Sequence, residues 1–525
     1  MVNLASPGIE TREIDLTTVV PSVTTLEGAI AGVFRWGPNN EIIRVSSEND
    51  LVNRFGPPKT GYNTETFFTA SDFLAYSNAL YVVRVSDGEM ADDTGATLET
   101  DPIIQAKYKG ELGNTIRFIS YNSIEEENAD FTDAAESTPD SAENVNIIVV
   151  DTEGRFTGEE NGILEVFENL SLVEGAKNDD GRNNYIIDVI NDRSQFVHIV
   201  SENAVMSGFE NMDVQLADGT DGSSELSISL SDLYTGYDMF ESPEDIDISL
   251  VMQGTARGDS NKAELAQYII DNVVMQRLDC VLFVSPDYDS VVNNPGSETT
   301  DIISFRENIN NTSYAVMDTG YKYRYDKYND RYVYTPLNGD MAGLCVRTDM
   351  QRDPWFSPAG YNRGMVKNVV KLAFNPKRAD RDQLYKKDVN PVITQPGQGT
   401  MLFGDKTLLG RQSAFSRINV RRLFIIMRKS ISRAAKELLF EFNDEFTRAR
   451  FVNMVEPFLR DIQGRRGIYD FTVVADETNN TPQVIDSNQF IGDIYVKPAR
   501  SINFIRLNFV AVATGVDFEE VVGQF

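Results

Sequence analysis

Between residues 246 and 317 strand-like and helical runs alternate, and this alternation constrains the fold more than any other feature of the chain. Ile246-Asp247-Ile248-Ser249-Leu250-Val251 reads as a strand. Asn261 to Arg277 reads as a helix, with Leu265, Ile269 and Val273 spaced four apart on one face. Cys280-Val281-Leu282-Phe283-Val284 is a buried strand, Ile302 to Ile309 a short helix, and Tyr314-Ala315-Val316-Met317 another strand. A β-α-β-α-β series of this spacing predicts a parallel sheet covered by helices, a Rossmann-like α/β domain. Gly28 to Phe34 and Leu80 to Val85 are strands of the same apolar kind. Between them, Phe67, Phe68, Phe73, Leu74 and Tyr76 fall partly at helical spacing.

The rest of the 525 residues divides around that unit. Residues 1–22 hold two prolines and no helical period, and read as an extended arm. Residues 23–95 and 215–375 are assigned to the α/β domain. Residues 96–214 intersperse short β-like runs (Ile116 to Ile119, Val145 to Val150) with charged, Asn/Gly/Ser-rich stretches, and read as a β-rich acidic insertion. Tyr321 to Tyr334 carries six tyrosines among basic residues and reads as a hairpin turning at Asn329-Asp330. Residues 376–525 are assigned to a C-terminal α+β domain. Its helical signal runs from about Arg421 to Arg460 without a glycine, with Leu423, Met427, Ile431, Ala434 and Leu438 as one apolar stripe. Strands follow at Tyr469 to Val474, Ile491 to Val496 and Ile502 to Ala513, the last a terminal strand arm.

Charge is split into blocks. Residues 101–250 hold 33 acidic and 7 basic side chains, a net of −26, whereas residues 361–470 hold 22 basic and 11 acidic, a net of +11. Such a chain shows different faces to different partners. The overall −32 opposes nucleic-acid binding, which needs clustered cations over the binding face. No apolar run approaches the roughly 20 residues that span a bilayer, and the N-terminus lacks the basic and apolar regions of a signal peptide.

No catalytic constellation assembles. His198 is the one histidine and alternates with apolar residues as a strand residue would. Cys280 and Cys345 sit in apolar sequence as small core residues, which suits a reducing compartment. No glycine-rich phosphate loop follows any strand. The acidic pairs Asp245/Asp247, Asp287/Asp289 and Asp218/Asp221 match no Ca²⁺ loop and read as solvated. The chain is read as non-catalytic, without cofactor or metal; an enzyme on a doubly wound sheet and a surface adhesin are the rival classes.

Several segments are more specific. Ser-Pro-Gly-Ile-Glu (6–10), Phe-Arg-Trp-Gly-Pro (34–38), Leu-Val-Asn-Arg-Phe-Gly-Pro-Pro (51–58), Tyr-Val-Val-Arg-Val (81–85) and Gly-Glu-Leu-Gly-Asn (110–114) come first. Met-Ala-Gly-Leu-Cys-Val-Arg-Thr-Asp (341–349), Ser-Pro-Ala-Gly-Tyr-Asn-Arg-Gly (357–364), Ile-Asn-Val-Arg-Arg-Leu-Phe (418–424), Asn-Asn-Thr-Pro-Gln-Val-Ile-Asp (479–486) and Pro-Ala-Arg-Ser-Ile-Asn (498–503) follow in order. Together they resemble the contractile phage (myophage) tail sheath proteins, of the T-even-like type, over residues 1–95 and about 215–525.

The resemblance implies a structural subunit that polymerises as stacked hexameric rings in a helical tube around an inner tail tube. The tube then contracts by rigid-body rearrangement of its subunits. The implied partners are other copies, the tail tube protein, and baseplate and terminator or neck proteins. The implied place is the virion tail, assembled in the host cytoplasm; a related injection system, tailocin or secretion apparatus, is the alternative. Exchanged arms would add strands to a neighbour's sheet. The candidate arm residues are Ile9, Glu10, Ile14, Leu16, Val19, Val20, Ile502, Phe504, Ile505, Leu507, Phe509 and Val510. The candidate tube-facing residues are Arg421, Arg422, Arg428, Lys429, Arg433 and Lys436, with intramolecular pairing to Glu437, Glu441 and Glu445 as the alternative. The charge split then becomes radial: an acidic outside and a more basic lining.

Overall fold

A computed structural model of the chain describes residues 25–93, 103–122, 131–200, 206–255 and 261–503. Its centre is a seven-stranded sheet. The strands are β1 (Gly28–Val33), β2 (Ile42–Val45), β3 (Leu80–Val85), β4 (Leu250–Met252), β5 (Val281–Val284), β6 (Ala315–Asp318) and β7 (Val389–Asn390). They lie in the order β2-β3-β1-β4-β5-β6-β7, and every neighbouring pair is parallel except β2 with β3. Successive side chains point to opposite faces. Ile30, Val82, Leu250 and Phe283 pack towards α1 (Thr64–Leu74) and α2 (Asn338–Gln351). Ala29, Val83, Val251 and Leu282 pack towards helical segments 230–238, 261–277 and 298–307. Cover on both faces explains why these strands are apolar throughout.

Two details differ from the sequence expectation. The run 246–251 pairs as a strand only from Leu250, because the Ile248 carbonyl accepts the Lys429 ammonium at 2.7 Å instead of joining the ladder. The helical stretch from Asn261 to Arg277 contains a six-residue π-helical segment, Ile269–Val274.

α1 and α2 cross closely because α2 has glycines where they meet. A Cβ at Gly339 would lie 2.3 Å from the Thr69 carbonyl oxygen, and one at Gly343 2.3 Å from the Tyr76 ring. The tyrosine-rich hairpin, Tyr321–Asp326 with Arg331–Pro336, lies against the same pair of helices. From it Lys322 reaches between Asp72 of α1 (3.0 Å) and Asp340 of α2 (2.7 Å), all three side chains fully buried. Arg324 pairs with Asp72 as well and lies over the Phe68 ring. Two cations thus neutralise two carboxylates.

The insertion is β-rich, as expected. Four antiparallel strands, Asn211–Gln215, Ile116–Tyr121, Asn144–Asp151 and Gly162–Ser171, form one sheet. A second, Met90–Asp92, Ile104–Lys109 and Val197–Ile199, shares its core with helix Ile186–Arg193. The C-terminal region has α3 (Ile418–Ala435), α4 (Glu445–Gly464) and an antiparallel strand pair, Ile468–Val474 with Asp493–Pro498. The single helical signal from 421 to 460 is therefore two helices. The break follows a 3₁₀ turn at Lys436–Leu438, and Asp444 recaps the chain by accepting the Thr447 amide at 2.8 Å.

The Lys322 cluster yields the first expectation. Lys322→Met leaves Asp72 and Asp340 buried without their shared cation and should cost about 3–5 kcal/mol. Lys327→Met, which removes an exposed pair with Glu48, should cost less than about 1 kcal/mol. Urea unfolding followed by tyrosine fluorescence separates the two.

Candidate assembly surfaces

The basic helix α3 buries Leu423, Met427 and Ala434 and half-buries Ile431, so the stripe read from the sequence is its core-facing side. Its cations divide into two groups. Arg422 is buried and holds Asp349, in the last turn of α2, through both terminal nitrogens at 2.8 and 2.5 Å. Lys429 is largely buried and meets Asp247 at 2.6 Å and Asp279 at 3.6 Å. Arg421 lies 4.1 Å from the ring centres of both Tyr314 and Phe415. These three have partners inside the subunit. Arg433 is exposed but touches Asp247 at 3.1 Å; Arg428 and Lys436 are exposed.

None of the six is paired with Glu437, Glu441 or Glu445 among the described residues. The partners come from the central domain. One sequence signal could have found Asp349: a carboxylate in the last helical turn opposes the helix dipole and calls for an external cation. Asp247 offered no such signal. Thr25, at the start of the described chain, also donates to Asp349, so the N-terminal segment leaves from this junction.

The strand pair Ile468–Val474 with Asp493–Pro498 is the other assembly surface. Phe471, Val473, Ile494 and Val496 face the core of α3 and α4. Asp470, Thr472, Tyr495 and Lys497 face solvent, with Asp470 and Lys497 paired at 2.8 Å. Among the described residues neither outer edge meets a third strand. Two strands alone are marginal in water, and open edges accept added strands. Of the candidate arm residues only Ile502 is described, and it is exposed. Ile9, Glu10, Ile14, Leu16, Val19, Val20, Phe504, Ile505, Leu507, Phe509 and Val510 lie outside the described residues.

The root of the insertion is fixed by buried charge. Asp221, read from the sequence as solvated, is 3% exposed. It accepts the Glu111 amide at 2.9 Å and contacts Arg35 and Lys59 at 3.3 and 3.4 Å. Arg84 is buried and donates to the carbonyls of Phe34, Gly37 and Lys109; burial lowers its pKa to about 10. Glu225 receives the amides of Glu65 and Thr66 at the start of α1. Burial first, then the Glu65 carboxylate, raises its pKa to about 8.

In a parallel sheet, ligands bind beyond the carboxyl ends of the strands. Here Asn338 of α2 fills that place, its amide donating to the Ser285 hydroxyl at 2.9 Å and its side chain to the Gly254 carbonyl at 3.0 Å. Asp318, beside Ser285, has its pKa raised to about 8 by burial. Both cysteines are buried, which pushes their thiols up to about 12. His198 pairs with Gln105 in the insertion, and burial lowers its pKa. No group of His, Cys, Asp and Glu among the described residues is placed to hold a metal, and no helix among them is long and apolar enough to cross a membrane.

Comparisons with known proteins match family models along most of the chain. The domain III N-terminal region of tail sheath protein Gp18 matches residues 29–85, the phage tail sheath protein central domain 236–408, and the phage tail sheath C-terminal domain 411–511. The tail sheath protein of Vibrio phage KVP40 is 34% identical, covering 99% of this chain and all of the relative. The crystal structure of a sheath tail protein from Listeria innocua superposes with a TM-score of 0.58 at 13% identity, over 91% of this chain and 96% of that one. The helical sheath of the anti-feeding prophage in its contracted state gives 0.55 at 12% identity, over 97% and 99%. These likenesses support a mixed α/β multidomain sheath fold.

The raised carboxyls set a pH dependence. Glu225 and Asp318 have folded pKa values above their unfolded ones, so their contribution is whole below about pH 4 and is lost as pH rises through about 8. The urea midpoint of the isolated subunit should therefore fall between pH 5 and pH 9. Asp318→Asn keeps a hydrogen-bonding oxygen beside Ser285 and Gly320 but does not titrate, so its midpoint should fall less steeply.

Proposed function

The chain belongs to the phage tail sheath protein family, and we propose from that premise how its surfaces do the work of a contractile tail sheath. It is a structural subunit of such a sheath, polymerising as a helical tube that contracts. The observation that carries the proposed assembly mode is the strand pair 468–474/493–498, held on one face by α4 and, among the described residues, open at both edges. Residues 1–24 and 504–525 of neighbouring copies add strands to it, with backbone hydrogen bonds supplying the link and alternate side chains the register. Such a strand tether lets subunits rotate and slide as bodies while staying joined.

The finer assignments follow the same logic. Residues 376–525 form the domain nearest the inner tube, 96–214 the outward insertion, and 23–95 with 215–375 the middle. That middle domain reads as Rossmann-like, because its parallel strands run β1-β4-β5-β6-β7 to one side of β1, with parallel β3 on the other. The tube partner meets Arg428, Arg433 and Lys436, the α3 cations that remain exposed. Baseplate and terminator proteins close the ends of the polymer, and assembly takes place in the host cytoplasm before the sheath becomes part of the virion. The sheath of a non-phage injection system has the same fold, but a 34% identical phage relative over the full length favours the phage tail.

Two expectations test this. Removing residues 1–20 should leave a folded subunit with an unchanged melting profile that forms no tubes in negative-stain images; normal tubes would exclude arm exchange. Arg428→Glu with Lys436→Glu should reduce the tail tube protein retained by sedimented sheaths several-fold at low salt. The parent should show the same loss as ionic strength rises past about 0.15 M. Arg422→Glu is not an equivalent variant, because Arg422 is buried against Asp349 and its reversal unfolds the junction.

A further inference from the structure

The segment between α3 and α4 presents apolar side chains to solvent, with none of the described residues over them. Phe440 is fully exposed and Phe442 is 83% exposed; Leu439 and Phe446 are exposed beside them. Single exposed apolar residues are ordinary, but several large ones together mark an interaction site. The segment is built rather than loose. Phe440 holds φ +71°, a left-handed conformation that is strained for a residue other than glycine. Asn443 donates to the Gln489 carbonyl at 2.8 Å, Arg448 donates back to Asn443, and Asp444 caps α4. The result is a rigid apolar knob. Glu441 and Glu445 flank it, with no cation paired to either among the described residues.

The same domain carries a complementary cleft of about 780 Å³, within the roughly 300–1,000 Å³ of pockets that take a guest. Its apolar wall includes Phe356, Phe403 and Tyr469; Arg363, Arg466 and Arg500 line it as well. No carboxylate is paired with these arginines among the described residues, whereas Asp405 on the same wall is already held by Arg417. An apolar knob with acids and an apolar cleft with cations are complementary in character and in sign. Two such patches at different places on one chain join copies head to tail, and a head-to-tail contact that does not close extends into a helix.

We propose that the 439–446 knob of one subunit docks in the Phe356/Phe403 cleft of a second copy, adding a side-chain contact to the arm exchange. The inference rests on the sheath reading for the existence of the polymer, and the arms alone would not require it. Because aromatic anchors in desolvated pockets dominate interface energies, Phe440 and Phe442 are the residues that should matter.

Both native cysteines are buried, so an introduced pair reports alone. Phe440→Cys with Phe403→Cys, oxidised after assembly, should give a ladder of covalently linked subunits on non-reducing gels. Neither single variant should give more than a dimer. Phe440→Ser with Phe442→Ser should raise the concentration needed for polymerisation about tenfold at an unchanged monomer melting temperature. Glu441→Arg with Glu445→Arg should do the same, and Arg466→Glu with Arg500→Glu in that chain should restore assembly. Intact tubes of the double-cysteine chain without a ladder would overturn the proposal. So would a Phe440→Ser/Phe442→Ser chain that polymerises normally and loses only the tail tube protein, since the knob then serves the tube. A parent chain that forms no polymer would bring down the sheath reading itself.

Discussion

The subunit depends on one constraint: charges taken out of water must find partners, and in this chain the partners lie in different domains. Arg422 on α3 and Asp349 on α2 are both almost fully buried. Either one alone would cost several kcal/mol, so the helices cannot separate or slip without exposing or orphaning a charge. Lys429 repeats the device against Asp247 and Asp279 a little further along α3. A buried ion pair is weak evidence of net stability, since well-packed apolar residues do as well. What it supplies here is register: apolar faces can slide over each other, whereas a bidentate guanidinium–carboxylate pair has one geometry. The C-terminal domain is thereby fixed on the central one.

That fixation decides where a contractile assembly can keep its free energy. Buried pairs at 72/322/340 and 349/422, with Lys429 reaching the partly exposed Asp247, tie these elements of the subunit to one another. The change between states must fall on contacts between subunits, where packing has two discrete arrangements. Thr25 is informative for this reason. It donates to Asp349 itself, so the start of the described chain is held at the same buried pair.

The sequence made the central domain legible because its signal is periodic. Continuous apolar runs alternating with helices can only be strands covered on both faces, and β1, β3, β5 and β6 appear where expected. The hairpin was legible from Asn329-Asp330, and the insertion from its spacing of short strands. What stayed hidden was pairing at long range. Asp221 and Asp247 looked like two of many acids, and only the fold brings Arg35, Lys59 and Lys429 to them. The break between α3 and α4 was hidden differently. No proline or glycine marks it, and Phe440 enters the left-handed region against its own preference. A chain that spends strain on exposing a phenyl ring is not described by local propensity, so such a position points to a partner.

These pairings also sharpen the charge asymmetry. Read as a bare sum, residues 361–470 carry +11 and would present a strongly basic surface. Much of α3's share is spent on central-domain acids: Arg422 and Lys429 are neutralised internally, and Arg433 shares Asp247. The acidic block keeps its charge, because its 33 carboxylates meet only 7 cations within the block. The exposed basic surface of α3 is therefore smaller than the bare sum suggests, whereas the 101–250 block stays strongly acidic. A dense layer of like charge also keeps the open edges of β-rich segments from pairing with one another.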